Sequence, residues 1–251
     1  MLWNNEPETS RYGNKMIPAN KQLVVFLTGW IGFRIFALII EVIAAIIAQF
    51  NGLNVVAILN TVNGAMITNT LAYLCLLVAL VLIINIDFVK LFKSFKHYQS
   101  YIAGFVCLVA IILFQYVYLV SLNALNLLPK DNANESSIQQ ISTTFKFSSL
   151  IVFGILGPVC EELTYRVGLF SLLKRKSKWA AYVFTMIIFA FIHFNFSLTP
   201  SVLLNEILNL PLYMFAAIAF SFTYDKFGLA GSLTAHVANN IISLTLVSII
   251  H

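Results

Sequence analysis

The chain has 251 residues, of which 60% are hydrophobic and only 10% charged, with a formal net charge of +5. Ordinary soluble domains carry about 25% charged residues. A soluble protein of this composition would lack the polar side chains to cover its surface, and a mean hydropathy of +0.88 places it in a bilayer. The positive charge is not a nucleic-acid signal, because the basic residues sit in short segments between apolar runs, where membrane topology accounts for them.

Residues 1–21 are polar and lack the apolar core of a signal peptide, so they read as a cytosolic N-terminal segment. A membrane-crossing helix needs about 20 mostly apolar residues. Seven runs qualify: 22–50, 65–86, 101–125, 147–173, 179–197, 203–224 and 229–250. The stretch Asn51 to Gly64 is apolar but interrupted by Asn and Gly, and reads as a re-entrant or interfacial turn or as an eighth helix. Phe88 to Tyr98 alternates apolar residues with Lys90, Lys93 and Lys96, the pattern of a basic amphipathic segment at a membrane surface. Leu127 to Ser142 is polar and reads as an extramembrane loop. The expected fold is all-α, a polytopic transmembrane bundle of about seven to eight helices. Residues 22–146 form its N-terminal helices and residues 147–251 a catalytic core.

Lysine and arginine orient the chain. With a cytosolic N-terminus and seven crossings, eleven basic residues fall on cytosolic segments and two, Lys130 and Lys146, outside. Arg34 and Arg166 lie within helices. This imbalance predicts N-in and C-out.

Ionisable groups at bilayer depth cost at least about 2.5–3.5 kcal/mol each and are functional hypotheses by default. Here they are Arg34, Glu41, Glu161, Glu162, Arg166, His193 and His236, with Glu206 near a helix start. Arg34 and Glu41 are expected to pair with neighbouring helices or with each other through water, with a substrate-binding role as the alternative. Glu162 and Arg166 stand four apart and can pair along one helix face. Glu161 points about 100° away and is left to face a cavity. Phe189 and His193 share a face of the fifth run, and His236 and Asn240 a face of the seventh. Helical rise puts Glu161, His193 and His236 about 18, 22 and 10 Å from the cytosolic helix ends, which permits convergence. The three cysteines, Cys75, Cys107 and Cys160, lie in apolar runs with no pairing or metal-site spacing, and read as packing residues.

A carboxylate, two imidazoles and an amide on three helices suit hydrolysis. Glu161 can take a proton from water with His193 as the second water-orienting group, while His236 and Asn240 donate to a developing oxyanion. Glu161, His193 and His236 could instead bind Zn²⁺ with water in the open position. The spacing leaves metal use open.

The motifs Glu161-Glu162-Leu-Thr-Tyr-Arg166, Phe189-Ala-Phe-Ile-His193 and His236-Val-Ala-Asn-Asn240 resemble, in order, the EExxxR, FxxxH and HxxxN signature of the CAAX-protease and bacteriocin-processing (Abi) family. The resemblance covers about Phe147 to the C-terminus. It implies an intramembrane endopeptidase acting on a membrane-associated, prenylated or leader-bearing substrate, with Glu161, His193, His236 and Asn240 in the active site and Glu162, Arg166 and Phe189 in support. It carries both a metalloprotease name and a glutamate-activated water mechanism. One departure stands out: the family often has glycine directly after the motif arginine, whereas here Val167 intervenes before Gly168. The partners implied are the lipid bilayer and a peptide or protein substrate. The compact chain without a targeting extension points to a bacterial plasma membrane. Two other readings fit parts of the pattern: a non-proteolytic immunity or signalling partner, and a proton-coupled transporter with helices broken at Pro158 and Pro211.

Overall fold

The computed structural model describes residues 17–197 and 199–250. The reading of the first 16 residues falls outside them. Eight long helices make up the described chain: α1 Ala19–Phe50, α2 Val62–Ile84, α3 Tyr98–Ala124, α4 Ala133–Thr144, α5 Lys146–Lys174, α6 Lys178–Ile192, α7 Pro200–Phe227 and α8 Leu229–Ile250. There is no strand among the described residues. Each of the seven apolar runs falls on one helix. Five of these, α1, α2 with its continuation to Lys96, α3, α5 and α7, are by themselves long and apolar enough to cross a membrane. The protein is an all-α, multi-pass membrane bundle.

Three local features differ from the sequence reading. The polar stretch after α3 contains α4, capped by Asn132, whose side chain accepts the backbone N–H of Glu135 at 2.8 Å. This helix forms because Ile138 and Ile141 pack against a cluster holding Met66, Phe153 and Leu244. The fifth run was expected to be helical to 197, but α6 stops at Ile192. The N–H groups of His193 and Phe194 bond back three residues, to Ala190 and Phe191, and tighten the last turn. Phe194 and Phe196 keep the run apolar without keeping it helical. Between α1 and α2, only Val55–Leu59 is helical; five residues rise about 8 Å, too little to span.

The segment after α2 is two short turns, Phe88–Leu91 and Phe92–Lys96, entered through Asn85 at φ 48°. Asparagine tolerates that left-handed geometry. Lys21 pairs with Asp87 at 2.7 Å, Lys174 with Asp225, and Arg175 Nε donates to Gln22 Oε1 at 2.8 Å. The lysine-rich segments therefore gather at one end of the bundle. The opposite end is polar: Asn209 donates to the Lys130 carbonyl at 2.8 Å, and the backbone N–H of Ala133 donates to Glu206 at 3.2 Å.

α5 is continuous but not uniform. It widens to π geometry over Val152–Leu156 and again over Leu163–Phe170, with α geometry at Gly157–Glu162 between them. Pro158 lacks an N–H and crowds the carbonyl four residues back, which accounts for the first widening. Neither Pro158 nor Pro211 breaks its helix, so the transporter reading loses its broken helices.

α1 crosses α5 closely and antiparallel. A Cβ on Gly29 would fall 1.8 Å from Thr164 Oγ1, and one on Gly168 would fall 2.9 Å from the Phe26 backbone nitrogen. Gly168 is thus the residue that admits the α1 backbone, which gives the shifted glycine after Val167 a physical reason. Gly168→Val is expected to destabilise the protein by about 1–3 kcal/mol or more, because the obstructing atoms are backbone and cannot rotate away. Thermal unfolding of the variant and the parent protein in detergent checks this.

Candidate active site

The segment between the two π turns of α5 carries Glu161 and Glu162, and the widened turns rotate successive side chains away from plain α spacing. Glu162 is fully buried. Its Oε1 lies 3.2 Å from Arg166 Nη1 and accepts the His236 Nδ1–H at 2.9 Å. The expected Glu162–Arg166 pair is present, and His236 joins it. The Arg166 contact is ionic rather than an aligned hydrogen bond: no N–H of that guanidinium finds an acceptor among the described residues. Aromatic faces cover it instead, with the Phe189 ring centroid 4.6 Å and the Phe220 centroid 5.3 Å from its central carbon. Rings can hold a desolvated guanidinium through their quadrupoles.

Phe189 is therefore a hub. Its ring meets His193 edge-on at 5.2 Å, His236 at 6.0 Å and Tyr165 at 5.3 Å. His236 stacks on Phe220 at 4.5 Å. With Nδ1 held by Glu162, its other nitrogen, Nε2, faces Glu161 Oε2 at 3.6 Å. Glu161 keeps 20% of its side chain accessible where Glu162 keeps none, and it lines a cavity of about 630 Å³ together with His193, Tyr73 and Tyr165. The cavity mouth lies between α1 and α6, framed by Trp30, Ile31, Phe191 and Phe196, all well exposed. An opening framed by such residues faces lipid.

His193 stands at the C-terminal end of α6 rather than inside a helix. Its ring stacks on Tyr213 at 4.6 Å, and Asn134 Nδ2 lies 3.4 Å from its Nδ1. Asn132 reaches both the His193 carbonyl, at 3.4 Å, and the Tyr213 hydroxyl, at 2.9 Å. Glu206, 2% exposed, accepts the backbone N–H of Asn195 at 3.1 Å as well as that of Ala133. It ties the turn after His193 to the start of α4. Glu135, whose carboxyl is raised by burial and by nearby Asp131, accepts from Tyr213. None of these supports was read from the sequence as part of the site. The available signal was the helix cap at Asn132, with Glu135 three residues on.

Asn240 lies elsewhere. One N–H of its amide donates to the Phe153 carbonyl at 3.1 Å, within the first π turn of α5, and neither it nor His236 lines the cavity. Cys160 lines the cavity and donates its thiol to the Tyr73 carbonyl at 3.7 Å.

The zinc alternative can be tested on these positions. Zinc donors stand about 2.0–2.2 Å from the ion. Among the described residues, no three of His, Cys, Asp and Glu converge as such a site needs, and both ring nitrogens of His236 face carboxylates. As placed, Glu161, His193 and His236 do not fit the ion, and no step below runs through one.

Residues 143–242 match the family model described as type II CAAX prenyl endopeptidase Rce1-like. That segment is similar to this family. All three motifs, at 161–166, 189–193 and 236–240, fall inside it. The likeness is to a family of proteases, and the helices above place the chain in the membrane. No curated protein and no solved structure matches the chain.

Proposed function

We propose that the protein is an intramembrane endopeptidase that hydrolyses a peptide bond of a membrane-associated substrate, prenylated or leader-bearing, through water activated by Glu161. The observation that carries this reading is the division of labour between adjacent carboxylates: Glu162 is buried and bound to Arg166 and His236, while Glu161 opens onto the lipid-facing cavity. A structural ion pair needs only the first of them.

In this reading Glu161 takes a proton from water as the water oxygen attacks the scissile carbonyl. His193 orients that water through Nε2, with Asn134 against its Nδ1. His236, anchored by Glu162, turns Nε2 toward the reacting centre and, when protonated there, donates to the oxyanion. Collapse of the tetrahedral centre breaks the C–N bond, and Glu161 returns its proton to the leaving amine. The gathered lysines support a cytosolic position for their end of the bundle.

The test is cleavage of quenched apolar peptides, prenylated and leader-type, by detergent-purified protein, with Glu161→Ala as the control. Cleavage is expected for the parent protein only, and it is expected to persist in the presence of a metal chelator. Equal behaviour of parent and variant across a broad library would overturn the reading in favour of a non-proteolytic partner.

A further inference from the structure

Arg34 stands in the middle of α1, fifteen residues after Ala19 and sixteen before Phe50. At 1.5 Å per residue, each helix end is more than about 20 Å away. That is beyond the reach of its own side chain, so it cannot place its charge among headgroups at either surface. A partner on a neighbouring helix was the expectation. Among the described residues, however, Arg34 makes no ion pair or hydrogen bond, and neither does Glu41, which is exposed two turns further on.

Arg34 instead lines the same cavity as Glu161 and His193. The α1–α5 crossing fixes its height. Phe26 meets Gly168 and Gly29 meets Thr164, an antiparallel register that brings residues 33–34 level with Cys160 and Glu161. Tyr165 lines the same cavity. Glu161 does not serve as its partner, since its carboxylate faces His236. The rest of the mouth is apolar. A guanidinium at this depth, without a counter-ion and in a cavity open to lipid, leaves the site electrostatically incomplete until an anion enters.

We propose that Arg34 is a carboxylate-binding subsite, holding a carboxylate of the substrate at the height of Glu161 and so selecting peptides that carry one close to the scissile bond. The proposal rests on the protease reading and adds a substrate requirement to it. The planar fork of arginine matches a carboxylate with two parallel hydrogen bonds. Lipid phosphates lie at the surfaces, too far from the middle of α1 to serve. The carboxylate can be the chain terminus or an acidic side chain. An extended peptide advances about 3.3–3.6 Å per residue, so either source must lie within a few residues of the bond cut.

Equilibrium binding separates this from catalysis. The probes are a fluorescent apolar octapeptide with a free C-terminus, its C-terminal amide, and two amidated octapeptides that differ only as Glu or Gln at a central position. Each is titrated onto detergent-purified full-length Glu161→Gln protein, so that turnover does not intrude, with Arg34 intact or as Arg34→Gln or Arg34→Lys. With Arg34 present, at least one acid is expected to bind about tenfold tighter than its amide. That ratio is expected to fall to about one in Arg34→Gln and to an intermediate value in Arg34→Lys, which keeps the charge and loses the fork. A response of the terminal pair identifies a chain end, and a response of the Glu/Gln pair identifies a side chain; both support the subsite. No preference in either pair, or a preference undiminished in both variants, overturns it. An acid preference that depends on Arg34, in a protein whose Glu161 form cleaves nothing, would instead count against the protease reading alone.

Discussion

Glu161→Ala is expected to lower kcat for peptide hydrolysis by roughly 10²–10⁴-fold, the range that a positioned general base contributes, while leaving the unfolding midpoint in detergent nearly unchanged. The separation of the two effects follows from where the carboxylate sits. Glu161 is partly accessible on the cavity wall, its ionic contact is His236 Nε2 at 3.6 Å, and it takes no part in the Glu162–Arg166 pair. Truncation therefore removes a group on the cavity wall and leaves the buried Glu162–Arg166 pair intact. Glu161→Gln sharpens the test. It keeps the shape and hydrogen-bonding capacity but cannot take a proton, so it should be as inactive as the alanine variant. Activity in Glu161→Gln with inactivity in Glu161→Ala would mean that the side chain positions water or substrate and that the base is another group.

The membrane character and the seven helix positions were legible because they depend on composition over windows of about 20 residues, which the bilayer reads in the same way. The pairing of Glu162 with Arg166 was legible because helical geometry puts residues four apart on one face. What failed depended on information that apolarity does not carry. The end of α6 at Ile192 is invisible because Phe194 and Phe196 are as apolar as the helix before them. α4 was hidden because it is mostly polar and owes its existence to two isoleucines packing on other helices. Its consequence for the site is large, since Asn132, Asn134 and Glu206 hold His193 and its turn from elements far apart in sequence. The two π turns of α5 were equally hidden. They explain why Asn240, one turn beyond His236, spends an N–H on the Phe153 carbonyl, a contact that plain helical spacing does not foretell. Arg34 was noticed as a charge at depth, but only the α1–α5 register shows that it shares the height of Glu161.

Arg166→Ala is expected to cost about 3–5 kcal/mol of stability, because it removes one partner of a fully buried pair and strands the other. Glu162 would keep the His236 Nδ1–H at 2.9 Å and lose the Arg166 guanidinium. The gap would also leave Phe189 and Phe220 without the group they enclose. Arg166→Lys separates these causes. It keeps the charge but loses the planar surface that lies between the two rings, so a smaller loss is expected, on the order of 1–2 kcal/mol. The double variant Glu162→Gln/Arg166→Met should be more stable than Arg166→Met alone, since the second substitution removes the stranded charge. That sign of coupling is what a buried pair predicts. Thermal unfolding of the four purified variants measures it. Hydrolysis should nonetheless stay low in the double variant, because an amide at 162 holds the His236 imidazole less firmly than the carboxylate does. Recovered stability without recovered activity would show that the pair exists to present His236; recovery of both would show that its role is confined to the fold.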